Sequence, residues 1–365
     1  MSRSFAAQPP LRIGMIGAGK IVERAHLPLL CAMPDVTVAG VFDPQLSRAE
    51  ALASQFNIPH ACAHVEQLLA LELDIAVVAC PNYLHAPMSI AALEAGLHVL
   101  CEKPMATSSA DAAAMRAAAI QANRELMIGF PNRFRPEVVG LRQAVERGEL
   151  GAIRSIRCGW LRRSGIPGSG TWFTNRSLSG GGALTDLGSH VLDLALWIAQ
   201  PGPILDVSCT LDRTAAVTAE GSWYVPSSSA EIGVNDVEIS ASGFVVCSGS
   251  FNLFVETSWA CAVPFDQTYL HVYGTRGLAR LETVFGFSPS GVRPVQPLRL
   301  WIDGKPIEET PSSTPDLLQP YRDQIAFFLD SVRQRRSLRP DLDVNVATVE
   351  LIQALYGAAS QAEET

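Results

Sequence analysis

Residues 12–22 read Arg12-Ile13-Gly14-Met15-Ile16-Gly17-Ala18-Gly19-Lys20-Ile21-Val22. An apolar run of strand length ends at Gly17, Gly19 follows, and a helical pattern takes over from Ile21 to Cys31. The first glycine permits a tight turn off the strand, and the second lets a pyrophosphate approach backbone N–H groups at the start of the helix. The third small position of a G-x-G-x-x-G/A fingerprint holds Val22. That position chiefly serves close packing of helix on strand, so a valine there predicts slightly wider spacing without loss of phosphate binding. Asp43 ends the next strand, Val36 to Phe42, where an acid accepts both hydroxyls of a ribose and repels a 2′-phosphate; this favours NAD over NADP. Arg48 is the counterweight, and its place one helical turn into the next segment reads as solvated. A tight turn plus an unrelated surface aspartate would account for the glycines alone. The preceding strand, the following helix and the placed acid together favour a dinucleotide site.

Outward from this stretch, strands and helices alternate at short spacing, the signature of βαβ units around a parallel sheet. Helices are expected over Ser47–Phe56, Ala86–Ala95 and Ala110–Ala122, with strands over Ile75–Cys80, His98–Cys101 and Leu126–Ile128. From about Arg135 the pattern changes. An amphipathic helix runs to Arg147, a strand covers Ile153–Trp160, a glycine-rich loop follows, and a long helix spans Leu184–Ala199. Apolar or alternating runs over Ile204–Leu211, Asp236–Ser242, Val245–Trp259, Thr268–Tyr273, Leu278–Thr283 and Leu298–Ile302, with no helices between them, predict a mostly antiparallel sheet. Helices over Pro320–Arg333 and Val346–Ala358 close the chain.

The 365 residues are enough for two domains with substantial cores, and 48% apolar against 18% charged residues is a globular composition. A net charge of -8 lacks the basic footprint that a phosphate backbone requires, so no nucleic-acid partner is expected. The apolar runs are strand-sized and Met1–Pro10 has no hydrophobic signal core; no membrane partner and a cytoplasmic location are expected. Eight cysteines are scattered without any C-x-x-C and read as reduced and structural. His60, Cys62 and His64 alternate, but a fourth ligand is missing nearby, so no metal is expected.

Of the 28 basic residues only Lys20, Lys103 and Lys305 are lysine. A guanidinium is effectively always protonated, whereas an ammonium is a compact donor whose proton affinity its surroundings can move. Lys305, in the turn-like Asp303-Gly304-Lys305-Pro306, needs no special role. Lys20 opens the phosphate loop. Lys103 lies in Glu102-Lys103-Pro104, which together with Cys80-Pro81-Asn82-Tyr83-Leu84-His85 leaves the carboxyl ends of strands, where open α/β sheets bind ligands.

These segments, with Gly180-Gly181-Gly182-Ala183-Leu184-Thr185-Asp186-Leu187-Gly188-Ser189-His190 followed by Asp193, resemble the Gfo/Idh/MocA oxidoreductases over essentially the whole chain. Departures are Val22, Cys80 where a threonine is common, and Pro131 where many relatives carry asparagine. The resemblance implies an α/β protein: an N-terminal Rossmann domain with a doubly wound parallel sheet, then an α/β domain with a large open, mostly antiparallel sheet. It also implies NAD(P)-linked redox of sugars, cyclitols or related alcohols. Residues 1–10 are then a disordered extension, 11–132 the NAD(P)-binding domain and 133–365 the substrate-binding and oligomerisation domain, with the helix over 346–358 able to pack back on the first. The expected cofactor contacts are Gly17, Ala18, Gly19, Lys20, Ile21, Asp43, Cys80, Pro81, Asn82, His85, Glu102 and Lys103.

Asp186 and His190 are spaced i, i+4, so both project from one helix face beside the apolar stripe of Leu187, Val191, Leu194 and Ile198. In isolation they would read as a helix-terminal acid and a satisfied histidine. The resemblance sets this face against the nicotinamide and makes Lys103, Asp186 and His190 the catalytic candidates. His190 suits proton transfer near neutral pH, Lys103 supplies a donor to the reacting oxygen, Glu102 positions the lysine or the cofactor ribose, and Asp186 orients a substrate hydroxyl or the lysine. Which of Lys103 and His190 takes the proton stays open. Trp160, Arg162, Arg163, Trp172 and Asn175 surround the glycine-rich loop Gly165–Gly170. Arg163, Trp172 and Asn175 join Lys103, Asp186 and His190 as substrate candidates, a tryptophan face suiting a polyol ring; a surface loop held by its own aromatics is the alternative.

The reading is an NAD-dependent sugar, cyclitol or aminocyclitol dehydrogenase. The alternatives are a glycoside-cleaving enzyme using transient oxidation and a non-catalytic sugar- or NAD-sensing regulator. The outer face of the open sheet predicts a homodimer or homotetramer.

Overall fold

Apolar residues on both faces of the first strand require cover on both sides, and the fold supplies it. The computed structural model describes residues 9–214, 234–286, 297–307 and 316–363; residues 1–8 of the expected extension lie outside the described residues. Six strands, β1 (Leu11–Ile16), β2 (Val36–Phe42), β3 (His60–Cys62), β4 (Ile75–Val78), β5 (His98–Glu102) and β6 (Leu126–Gly129), form one parallel sheet in the order β3-β2-β1-β4-β5-β6. The order reverses between β1 and β4, so the loops leaving these two strands part and open a crevice at their carboxyl ends. Helices α1 (Leu27–Leu30), α2 (Leu46–Phe56), α3 (Val65–Leu69), α4 (His85–Glu94) and α5 (Ser109–Ala122) connect the strands.

The helix expected over Ile21–Cys31 begins differently. Lys20 and Ile21 start it, Val22–His26 is a π-helical turn, and α geometry resumes at Leu27. The wider turn carries Val22, fully buried, into the core at the point where the fingerprint would have a glycine. A second π turn, Leu184–Gly188, opens the long helix of the other half before α-helical bonding resumes.

After α6 (Pro136–Glu146) the chain builds an eight-stranded sheet from β7 (Ile153–Leu161), β8 (Ile204–Asp212), β9 (Ser240–Cys247), β10 (Phe251–Ser258), β11 (Gln267–Gly274), β12 (Gly277–Thr283), β13 (Leu298–Ile302) and β14 (Lys305–Ile307). Its order is β14-β13-β12-β11-β7-β10-β9-β8, antiparallel except where β10 runs parallel to β7. The short α7 (Arg176–Ser179) and the long α8 (Ser189–Ala199) lie between β7 and β8 in sequence. One face of the sheet packs against α6 and α8, through Leu141, Val191 and Leu194 on Ile156, Val272 and Leu281.

The expected boundary between Asp236–Ser242 and Val245–Trp259 is redrawn. β9 runs through Val245, and the reversal falls in the three-residue loop Ser248–Ser250, where Gly249 and Ser250 both have positive φ (75° and 62°). Apolar alternation continues on both sides of that turn, so periodicity alone could not locate it. Asp303 and Gly304 (φ 50° and 76°) make a two-residue hairpin turn, which leaves Lys305 as the first residue of β14.

The last two helices, α9 (Gln319–Gln334) and α10 (Arg339–Glu363), join the halves. Ile325, Phe328 and Leu329 of α9 pack with Ile13 and Leu30 beneath the first sheet, although they fall in the stretch 133–365 assigned to the second domain. The 25-residue α10 is twice the expected length. Its Leu342 and Val349 enter the first core, and its Leu351, Leu355 and Tyr356 enter the second. Among the described residues no helix is long and apolar enough to cross a membrane.

Candidate active site

The glycine loop shows why each glycine is there. Gly17 has φ +109°, and a Cβ on it would lie 2.3 Å from the Ala79 carbonyl oxygen, where β1 and β4 meet. At Gly19 a Cβ would meet no protein atom within 4 Å, so the space above the second glycine is open. Asp43 is locked beside it. Its Oδ2 accepts the Ala18 N–H at 3.0 Å and its Oδ1 the Gln45 N–H at 2.9 Å. An open cradle over backbone N–H groups, with a fixed carboxylate at the end of β2, fits the diphosphate and ribose of NAD. Ile21 immediately precedes the π turn. Lys20 does not turn toward the cradle: its Nζ lies 2.9 Å from Glu23 Oε2 on the exposed side of the turn.

Two of the expected cofactor contacts also brace their loop. His85 is buried with Nδ1 2.7 Å from the Pro104 carbonyl and Nε2 2.9 Å from the Cys80 carbonyl, so its ring clamps one ligand loop to the other. Asn82 donates its amide to the Ser179 carbonyl at 2.8 Å, holding the Cys80–His85 loop to the glycine-rich segment before α8. These side chains set the shape of the loop expected to meet the cofactor. Burial pushes the Cys80 thiol up to about 12, so it stays protonated and inert beside Pro81.

The chemical groups converge from both halves. Lys103 Nζ is 2.6 Å from Asp186 Oδ1 and 3.2 Å from the Asp186 carbonyl. The other carboxylate oxygen, Oδ2, accepts the indole N–H of Trp259 at 2.9 Å. Burial alone would raise the Asp186 carboxyl, but the Lys103 ammonium, the Arg162 guanidinium and these hydrogen bonds hold it well below the usual carboxylate range. His190, reached one turn later, is 7% exposed and wedged between Trp160 and Phe130. Its Nδ1 lies 3.3 Å from the Asn132 amide nitrogen. That amide can only donate, so Nδ1 accepts and Nε2 carries the proton in the neutral ring. Burial and the nearby Lys103 and Arg162 charges push the His190 pKa well below its ordinary value, against the opposing pull of Asp186. With Asn132, Trp160 and Tyr321, His190 lines a cavity of about 40 Å³.

The three glycines before this helix are explained by crowding. A Cβ on Gly181 would sit 2.0 Å from the Tyr356 hydroxyl, and one on Gly182 1.9 Å from the Glu238 carbonyl. Glu238 in turn accepts the N–H groups of Gly182 and Leu184 and the Tyr356 hydroxyl. A buried carboxylate therefore caps the segment that presents Asp186.

The expected substrate candidates take contacts within the second half. Arg163 is exposed and engages Asp266 through its backbone N–H, Trp172 stacks on Phe173 at 3.9 Å, and Asn175 caps α7 by accepting the Ser177 N–H at 3.0 Å. The loop is held by its own aromatics and turns. The arginine that reaches the site is Arg162, half-buried with its guanidinium 5.1 Å from the Trp160 ring centre. Among the described residues no three His, Cys, Asp or Glu side chains gather as metal ligands, and His60 and His64 are exposed while Cys62 is buried. Sequence reasoning missed His26, Asn132, Trp259 and Glu238, whose partners lie far along the chain.

The family described as "Oxidoreductase family, NAD-binding Rossmann fold" matches residues 11–130, and the GFO/IDH/MocA C-terminal domain matches residues 138–280. A "putative UDP-kanosamine synthase oxidoreductase subunit" of Amycolatopsis mediterranei is 36% identical over 77% of this chain and 77% of its own length. D-glucoside 3-dehydrogenase of Escherichia coli is 38% identical over 54% of this chain and 56% of its own length. GenD2 from gentamicin A biosynthesis, solved in complex with NAD, superposes with a TM-score of 0.78 at 25% identity, covering 99% of this chain and 97% of that one.

Proposed function

The chain belongs to the GFO/IDH/MocA oxidoreductase family, and from that premise we propose that it oxidises a secondary hydroxyl of a sugar to a ketone, reversibly, with NAD. One observation carries the reading: an ammonium from the first half, bound to Asp186, and a buried imidazole from the second, one helical turn beyond that aspartate, at the carboxyl edge of the Rossmann sheet. NAD, when bound, supplies the hydride acceptor for the carbinol carbon. Lys103 donates a hydrogen bond to the reacting oxygen and stabilises the developing alkoxide, worth a few kcal/mol in a site that excludes water. Asp186, fixed by Trp259, aims the ammonium. His190, kept neutral by its surroundings, takes the hydroxyl proton; the negative charge growing on the substrate oxygen raises its basicity as the reaction proceeds.

The relatives' names favour a glucopyranosyl substrate, and two of them specify position 3: the glucoside enzyme above and glucose-6-phosphate 3-dehydrogenase of Bacillus subtilis. The test is a panel of glucosides, free hexoses and inositols, with NAD and NADP in parallel, followed by absorbance of the reduced nicotinamide. Accumulation of NADH with a glucoside supports dehydrogenation; glycoside cleavage without net NADH points to transient oxidation, and NAD binding with no turnover on any polyol to a sensor.

The outer face of the second sheet presents Phe254, 42% exposed, packed on Phe244, with Arg157 stacked on Phe254 and Tyr273. Covering that face in a homodimer or homotetramer completes the fold, and sedimentation at micromolar concentration tests it. All eight cysteines are free, which accords with a cytoplasmic protein.

A further inference from the structure

Beneath the proposed centre lies a buried pair that the mechanism above does not use. His26, with no exposed surface, closes the π turn that follows the glycine loop. Its Nε2 is 2.8 Å from Glu102 Oε1, a partner 76 residues away at the end of β5. Tyr321 of α9 packs edge-on against the ring at 6.4 Å. His26 Nδ1 is buried without a hydrogen-bond partner. A ring placed only for packing would be better served by a hydrocarbon, because an unpartnered buried polar atom carries a desolvation cost. The Nε2–H tautomer makes one directed, charge-assisted bond to the carboxylate, and that bond is what the imidazole adds.

Glu102 is the last residue of β5 and Lys103 follows it directly, yet the two side chains take partners in different parts of the molecule. Glu102 reaches back to the first turn of the cofactor half; Lys103 reaches across to Asp186. We propose that His26 is a positioning residue for Lys103, acting through Glu102: it anchors the end of β5 to the turn that cradles the cofactor, and so fixes the origin from which the lysine spans the crevice. The inference rests on the reading of Lys103 as the donor to the reacting oxygen.

The chain carries only three lysines, which allows a test independent of turnover. Trace acetylation of the intact protein, read by mass spectrometry, gives the reactivity of Lys103 relative to the exposed Lys305. In His26→Leu that ratio should rise about threefold or more as the lysine is loosened from its ion pair. His26→Gln, whose amide can replace the Nε2 donor, should restore it. In parallel, kcat should fall ~10- to 100-fold in His26→Leu with the KM for NAD nearly unchanged, and recover in His26→Gln. Should His26→Leu fail to fold, Glu102→Gln weakens the same bond and should raise the ratio likewise. An unchanged ratio in the folded variants, or equal effects of leucine and glutamine at position 26, overturns the proposal. Absence of NAD reduction by wild-type protein on every sugar would instead defeat the functional reading, and leaves the labelling result to be judged on its own.

Discussion

Lys103 Nζ and Asp186 Oδ1, 83 residues apart in sequence, meet at 2.6 Å and tie the end of β5 to the turn that presents His190. Both side chains are mostly buried (19% and 15% exposed), so the pair is shielded from the solvent that weakens surface ion pairs. A further donor, the Trp259 indole, and the nearby Arg162 charge keep the aspartate ionised. The ammonium is thus held at one address, ready to meet an oxygen that acquires negative charge.

Replacing Lys103 by alanine removes that donor while leaving the glycine cradle and Asp43 in place. Turnover should fall at least ~10²-fold, while NAD affinity measured by titration of tryptophan fluorescence changes only a few-fold. Lys103→Arg keeps the charge and should retain part of the rate. Wild-type turnover in the alanine variant would remove the lysine from the chemistry.

Acid should destabilise the protein in two windows. Burial lowers the pKa values of His190 and His85, and that of His98 to about 4. A histidine with a depressed folded-state pKa binds fewer protons folded than unfolded below its unfolded value of about 6.5, so stability falls as pH drops from there. Asp186, depressed below its unfolded value, adds a loss at still lower pH, while the raised Asp193 and Glu238 act in the opposite sense. Melting temperature should therefore decline between pH 7 and pH 5, and His190→Gln should flatten the decline. A variant with the wild-type slope would show that His190 is not among the groups responsible.

The sequence made the fold legible wherever function and packing coincide in adjacent residues. Gly17, Gly19 and Asp43 carry a local pattern, and the strand-turn-helix around them is written into one short stretch. Asp186 and His190 were visible as neighbours on one helical face, and Lys103 by its scarcity. What stayed hidden depends on contacts between distant segments. Trp259 looks like any aromatic at the end of a strand until its N–H meets Asp186, and His26 like any helical histidine until Glu102 arrives from β5. Arg163, Trp172 and Asn175 have the right chemistry beside a glycine-rich loop, where the Arg163 N–H meets Asp266 and Asn175 caps α7. The π turns were hidden for another reason: they differ from α-helix by one residue of bonding, which no apolar period records.

The two glycines of the loop should respond oppositely to alanine. Gly17→Ala places a Cβ against the Ala79 carbonyl at a positive φ, so it should lower the melting temperature whether or not NAD is present. Gly19→Ala meets no protein atom, so the free protein should melt normally while NAD affinity drops about tenfold or more, because the new methyl occupies the space needed for phosphate approach. Calorimetry with and without NAD separates the two. Equal behaviour of both variants would contradict the assignment of the cradle.

Trp259 offers a clean substitution. Phenylalanine preserves most of the ring in a fully buried position but deletes the N–H that holds Asp186 Oδ2. Loss of a hydrogen bond to a charged group costs about 1.5–3 kcal/mol, so Trp259→Phe should lower the urea midpoint. With Asp186 held only by Lys103, turnover should fall more than the KM for sugar rises. Unchanged kinetics in a destabilised variant would make Trp259 a packing residue alone.

The helix carrying His190 is also anchored from behind, and that anchor can be tested by restoring what it lacks. Asp193, fully buried on α8, receives two parallel bonds from Arg133 at 2.7 and 2.6 Å and a third from Asn345 at 2.9 Å. Arg133 also binds Asp341 at 2.8 Å, so one guanidinium joins the turn after β6 to α8 and α10. Burial raises the Asp193 carboxyl even against the Arg133 charge, which shows how costly the site would be for an unpaired anion. Arg133→Met leaves that anion without its partner and should cost about 3–5 kcal/mol. Removing the carboxylate as well, in Arg133→Met with Asp193→Leu, should recover much of the loss, because the dominant penalty is the stranded charge rather than the missing bonds. Urea unfolding of the two single variants and the double variant measures this directly. If the double variant is as unstable as the sum of the singles, the pair is not coupled and α8 takes its position from apolar packing.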